Sequence, residues 1–389
     1  MQASSHSVKL SLLGGLSAAD FLRAHWQKRP LLVRGALPSF AGLLSPRELI
    51  ALAARDDVES RLVIKQGRRW HAESGPFAGR RFSRLPERGW TLLVHGLDLH
   101  LASAHALMMN FAFLPLARLD DVMVSYAAPG GGVGPHFDSY DVFLLQGPGR
   151  RRWRISAQAD LEWVENAPLK LLKRFRAERA WILEPGDLLY LPPRYAHEGT
   201  AVGECMTYSI GFRAPSHGEL ATQFLAYLQD RIRLPGMYAD PDLRPQRRPA
   251  RIPAQMVQRF AQVLAHIRWR PAEVEAFAGV YLSEPKPTVV FSPPSRPLSP
   301  NAFAREAARR GVVLAIKTRM LHGPRGVYIN GEAVRVEGAS REALARLADA
   351  RVLPPGTVLD ACAREALYQW YRAGYLALGK AAGKRGRGR

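Results

Sequence analysis

A mainly β core, followed by a helical region and a small α+β unit, is the fold class predicted by this chain of 389 residues. Three observations carry that expectation. From Asp121 to about Ala214, short runs rich in Val, Ile, Leu, Phe and Tyr (VMVSY, VFLLQG, WRI, WILEPGDLLYLPP, MTYSIGF) are separated by Gly and Pro, the texture of an antiparallel sandwich or barrel. Beyond Ser216 the apolar period becomes helical. After Pro300 a helix, a strand, a hairpin and two further helices follow one another closely.

Taken in order, Ser17 is a helix start, and the run Pro30 to Val33, closed by Arg34-Gly35, reads as a strand. A helical piece covers Ser45 to Ala54. The β core occupies about residues 118–215 of an N-terminal domain spanning 1–215. A helical domain over 216–283 carries one stripe of Leu220, Phe224, Tyr227 and Leu228 and another of Met256, Phe260, Val263, Leu264 and Ile267. Such stripes pack a core or, appended to a barrel, make a dimer contact. Residues 284–300 hold six prolines, a semi-rigid extended linker. In the unit at 301–378 we expect a helix at Ala302 to Arg310 and a strand at Val312 to Thr318. A hairpin turning at Asn330-Gly331 follows, then helices at Ser340 to Ala350 and Asp360 to Leu378. That order resembles a winged helix. Residues 379–389 form a basic tail too poor in apolar residues to fold.

Composition narrows the function classes. The chain is 47% hydrophobic and 23% charged, as in globular proteins, with no apolar run near the roughly 18 residues a membrane span needs. Val8 to Leu16 lacks a secretory layout, so a cytoplasmic protein without membrane contact is expected. With Cys205 and Cys362 the only cysteines, any metal must be held by His and carboxylate. A formal charge of +21 favours RNA or another polyanion as partner, and the tail reads as a basic arm for it. Compositional drift toward Arg, and an idle solvated tail, are the alternatives.

The chemistry lies in GGGVGPHFDSYDVFLLQGPGRRRWRI, Gly130 to Ile155. On a strand, residues two apart face one way, so His136 and Asp138 present an imidazole and a carboxylate together, with Tyr140 continuing that face. Alone, a His-x-Asp pair is a weak signal. In EPGDLLYLPPRYAHEG, a turn at Glu184 to Asp187 feeds an apolar strand and two prolines before His197, which opens another strand as a third candidate ligand. Two His and one carboxylate leave half of an octahedral iron(II) site open, the facial triad of non-haem oxygenases. The open half must take a bidentate 2-oxo acid and O2. In GRRRWRI, Arg151 shares its face with Trp153 and Ile155, which marks it as inward, whereas Arg150, Arg152 and Arg154 point outward. An inward arginine needs a buried anion: the far carboxylate of 2-oxoglutarate, or an internal salt-bridge partner.

The segments RLDDVMVSYAAPGGGVGPHFDSYDVFLLQGPGRRRWRI and LEPGDLLYLPPRYAHEGTAV with MTYSIGFRAP resemble those of the bacterial ribosomal oxygenases of the Jumonji-C type, in particular the arginine-hydroxylating ones. The similarity is dense over Arg118 to Pro215 and looser from Phe21 to Leu37 and through the helices after Ser216 to about Val280. In the C-terminal unit it is one of architecture. It implies a double-stranded β-helix (cupin-like jelly roll) core, a helical dimerisation region that makes a homodimer, and a C-terminal winged-helix-like domain. It assigns Fe(II) to His136, Asp138 and His197, and the 2-oxoglutarate carboxylate to Arg151, a lysine position in the histidine-modifying members. Thr207 and Ser209 become further cosubstrate candidates. Asp121, Met123 and Tyr140 become the lining of a substrate-arginine pocket, where Asp121 pairs with the guanidinium and Tyr140 packs on its stem. Asp121 as a plain strand-end carboxylate, and Asp120 in its place, stay open. The implied function is hydroxylation of a ribosomal protein, at an arginine β-carbon of a large-subunit protein. Demethylation, hydroxylation of another residue or of RNA, and a non-catalytic RNA-binding role in ribosome assembly are the rivals.

Overall fold

The computed structural model describes residues 9–67 and 69–380, so the basic tail beyond Lys380 lies outside the described residues. Helix α1 (Ala18–Ala24) begins where expected, its Ser17 hydroxyl accepting the Asp20 amide at 3.1 Å. Strand β1 is Leu31–Val33. Helix α2 (Pro46–Leu52) opens on a reciprocal cap between Ser45 and Glu48, which satisfies two amides at its start. Then come β2 (Ser60–Gln66), β3 (Arg69–Ser74), β4 (Trp90–Val94) and α3 (Ala102–Met109). The core strands are β5 (Leu119–Ala127), β6 (Val142–Gln146), β7 (Arg151–Ser156), β8 (Arg179–Leu183), β9 (Leu188–Leu191), β10 (Ala196–Ala201) and β11 (Cys205–Phe212).

These strands form an antiparallel eight-stranded sheet in the order β1-β9-β6-β11-β5-β4-β2-β3 and a smaller sheet in the order β10-β7-β8. The smaller sheet gains a fourth edge through a single bridge between His136 and His197. From β5 onward the chain therefore passes back and forth between the two sheets, which is the winding of a double-stranded β-helix.

Strand β6 shows why this sequence folds so. Its residues Phe143 and Leu145 pack in the cluster under the N-terminal helices, whereas Val142 and Leu144 pack between the sheets with Trp153, Ile155 and Leu189. Both faces are buried, so Val142 to Leu145 is an unbroken apolar run instead of an alternating one. Each such side chain contributes about 1.5–3 kcal/mol by leaving water.

Strands β2 to β4 extend the large sheet beyond what the sequence pattern predicts. At its edge, β3 reads RWHAES and buries little, so it carries no apolar signal. Beyond the barrel stand α4 (His217–Gln229), α5 (Ala254–Leu264) and α6 (Pro271–Ser283). Then follow α7 (Pro300–Arg310), β12 (Val312–Leu314), β13 (Met320–His322), β14 (Val327–Ile329), β15 (Glu332–Val334), α8 (Gly338–Ala350), β16 (Val352–Leu353), α9 (Ala361–Ala373) and β17 (Leu376–Leu378). Asn330 and Gly331 both take positive φ between β14 and β15, as a type I′ turn requires. Two expectations need correction. The last helix stops at Ala373 because Gly374 adopts φ +80°, and the chain continues as β17. The strand from Val312 is also shorter than expected, ending at Leu314.

Candidate metal and cosubstrate site

The expected constellation assembles in one cavity of the β core. His136, Asp138 and His197 offer ligand atoms that all lie within 4.8 Å of one another. His197 Nε2 stands 3.7 Å from Asp138 Oδ2, and the two imidazole centroids are 4.2 Å apart. His197 opens β10, while His136 sits in an extended segment held to it by one bridge pair, with amide-to-carbonyl distances of 2.9 and 2.7 Å. The regular strand expected at His136 is thus reduced to a single paired residue.

The chain also fixes the ring tautomers. Nδ1 of His136 lies 3.0 Å from the Gly134 carbonyl, and Nδ1 of His197 lies 2.9 Å from the Tyr195 carbonyl. A carbonyl only accepts, so each Nδ1 carries the proton and each Nε2 keeps a lone pair for an ion. Burial, with His136 beside it, pushes the His197 imidazolium down to about 4, which keeps that ring neutral and able to ligate.

Arg151 lines the same cavity, of about 490 Å³. It is buried, with Trp153 and Ile155 on its face of β7. Its Nε and Nη2 find no hydrogen-bond partner among the described residues. These two nitrogens form one edge of the guanidinium, the edge that grips a carboxylate in parallel. The salt-bridge alternative therefore lacks its acid. In register, Ala201 faces Arg151 and His197 faces Ile155, so four residues, roughly 13 Å of strand, separate Arg151 from the triad. An arginine side chain and a five-carbon diacid bridge that span together. The donor set and the orphaned guanidinium edge fit a divalent ion with 2-oxoglutarate.

Ser209, Met123, Tyr140 and Asp121 line this cavity. Thr207, on β11, is buried with its hydroxyl donating to Gln146 at 3.0 Å, and it does not line the cavity. Asp121 accepts from the Gly96 amide at 3.1 Å and has His95 Nδ1 at 3.6 Å. Burial alone would raise this carboxyl. The imidazole and the Lys286 ammonium outweigh burial and hold it below the usual range. Asp120, its sequence neighbour, lines the cavity as well and pairs with Lys286 at 3.3 Å. Lys286 and His95 escaped the sequence reading, because a lysine between two prolines and a histidine after a short strand carry no periodic signal.

Known proteins resemble this chain along most of its length. Residues 106–220 match the JmjC domain family, and residues 262–377 match the ROXA-like winged helix. The chain is 38% identical to the Escherichia coli protein named ribosomal protein uL16 3-hydroxylase, over 86% of this chain and 89% of that one. It is also 38% identical to a probable ribosomal oxygenase of Haemophilus influenzae, over 61% of this chain and 57% of that one. Among solved structures, E. coli YcfD superposes with a TM-score of 0.82 at 35% identity, covering 93% of this chain and 98% of that one. A second YcfD structure, a complex with cobalt and 2-oxoglutarate, superposes with a TM-score of 0.79 at 35% identity over the same shares.

Proposed function

This chain belongs to the ribosomal oxygenases of the JmjC type, and from that premise we propose that it hydroxylates an arginine side chain of a large-subunit ribosomal protein at the β-carbon. It is a 2-oxoglutarate-dependent oxygenase using Fe(II) as cofactor and O2 as second cosubstrate. When bound, iron and 2-oxoglutarate supply the chemistry that puts one oxygen of O2 on the target carbon and converts 2-oxoglutarate to succinate and CO2.

The protein supplies position. His136 and His197 offer their Nε2 lone pairs, and Asp138 its carboxylate, to one face of the ion. Arg151 holds the far carboxylate of 2-oxoglutarate, with Ser209 on the same cavity wall. Thr207 acts through Gln146, which it orients by its hydrogen bond. In the same cavity, Asp121 takes the substrate guanidinium while Met123 and Tyr140 flank its aliphatic stem. The name of the Escherichia coli relative supports both the ribosomal target and the 3-position. The single observation that carries the reading is a buried, unpartnered arginine edge in the same cavity as a His-Asp-His cluster. It also weighs against a non-catalytic RNA-binding role. The domain limits are those stated for the sequence, with 216–283 making a homodimer. Ribosomal RNA is the polyanion that the charge of +21 favours, and the cytoplasm the place of action.

Incubating the iron-loaded protein with 2-oxoglutarate and an arginyl peptide of uL16 should give a +16 Da product, with none from Asp138→Ala. An unmodified peptide, or equal modification by Asp138→Ala, defeats the reading.

A further inference from the structure

The substrate end of the cavity already holds a cation. Lys286, between Pro285 and Pro287, places Nζ 3.3 Å from Asp120 Oδ1 and 3.3 Å from Asp121 Oδ2. Two more cations reach Asp120, with Arg213 at 3.7 Å and Arg319 at 3.8 Å. Three positive groups thus face the two carboxylates Asp120 and Asp121, so neither has charge to spare for a further cation.

The three are held differently. Arg213 also donates to the Leu282 carbonyl at 3.1 Å, and Arg319 to the carbonyls of Leu119 and Asp120. Among the described residues, the Lys286 ammonium pairs with the two aspartates alone. It lies in a segment without helix or strand, flanked by residues that have no amide hydrogen to give up. Among the three, Lys286 is the one free to leave.

Resting on the arginine-hydroxylase reading, we infer that Lys286 occupies the place of the substrate's cationic side chain, and that the target guanidinium binds by exchanging with it at Asp121. One cation replaces another, so the charge of the site is conserved. Lys286 thereby sets the affinity of the pocket and confines it to substrates that bring a positive charge. Burial acts against the ammonium, but Asp121 and Asp120 raise its proton affinity above the ordinary value, so the competitor stays charged at neutral pH.

Lys286→Met keeps the aliphatic stem and removes the charge. KM for the arginyl peptide should fall about fivefold, with a smaller change in kcat, and Lys286→Arg should keep a KM near that of the wild type. A peptide with neutral citrulline in place of arginine should gain nothing from Lys286→Met. An unchanged or raised KM in a Lys286→Met protein that melts like the wild type overturns the exchange. Should that variant fold poorly, the wild type still decides. With lysines reductively ¹³C-methylated and Lys286 identified by Lys286→Arg, its signal must move toward that of a solvated lysine at saturating peptide. A stationary signal also overturns the inference. A wild type inert toward every arginyl peptide sinks the functional reading as well, whereas an active wild type without exchange sinks this inference alone.

Discussion

At the scale of single residues, the site is built from groups whose neighbours leave one face unsatisfied. The imidazoles spend Nδ1 on backbone carbonyls and keep Nε2. Arg151 is the sharper case, since a buried guanidinium edge without an acceptor among the described residues is costly, and a bound carboxylate would offset that cost. Replacing Arg151 with Met should raise KM for 2-oxoglutarate at least tenfold, because two charge-assisted hydrogen bonds worth about 1.5–3 kcal/mol each are lost. Metal binding should persist, since Arg151 lies about four residues of strand from the triad. Titration with cobalt and steady-state succinate release separate the two effects. An unchanged KM for 2-oxoglutarate would mean that Arg151 serves another anion.

At the scale of elements, glycines decide whether His136 reaches His197. The segment before His136 is bonded to β10 at its far end too, where the Gly130 amide and the Gly131 carbonyl exchange bonds with Ala201, each 2.9 Å. Between these ties, a Cβ on Gly132 would stand 2.4 Å from the Gly199 carbonyl oxygen, closer than backbone atoms can come. Gly132→Ala must therefore lift the segment off β10 and carry His136 with it. We expect a loss of about 1–3 kcal/mol in stability and a weaker cobalt affinity. Gly203→Ala, where a Cβ meets nothing within 4 Å, should change neither. Equal melting temperatures and cobalt affinities for the two variants would refute this account.

Much at this scale was legible beforehand, for physical reasons. Strands β6 and β9 are buried along their whole length and read as almost continuous apolar runs, while the equally buried β11 is apolar but for Thr207, Ser209 and Gly211. Asn330-Gly331 marks its turn through positive φ. His136 and Asp138 declare themselves by spacing, and Arg151 by the company of Trp153 and Ile155. The edge strand β3, the pairing of Thr207 with Gln146 and the reach of Lys286 depend on contacts between residues distant in sequence, where local pattern carries nothing.

At the scale of the molecule, the helical region poses an unsolved burial problem that a second copy would solve. Helix α5 buries none of its residues, yet Val257, Phe260, Val263 and Leu264 form an apolar stripe, with Phe260 50% and Leu264 62% exposed. On α4, Leu225 is 61% exposed. An amphipathic helix with its apolar face in water is unstable alone, and a two-fold axis lets each copy cover the other with the same patch. Each copy carries a formal charge of +21, so two copies repel one another and apolar contact must outweigh that repulsion. The sign of the salt effect follows: the dimer should tighten as ionic strength rises, opposite to an association held by ion pairs. Sedimentation at micromolar concentration should show a dimer, and Phe260→Glu with Leu264→Glu should show a monomer with an unchanged fold by circular dichroism. The wild type's melting temperature should rise with protein concentration, and that of the doubly substituted protein should not. A wild type that sediments as a monomer in high salt would show that the exposed stripe serves some other surface.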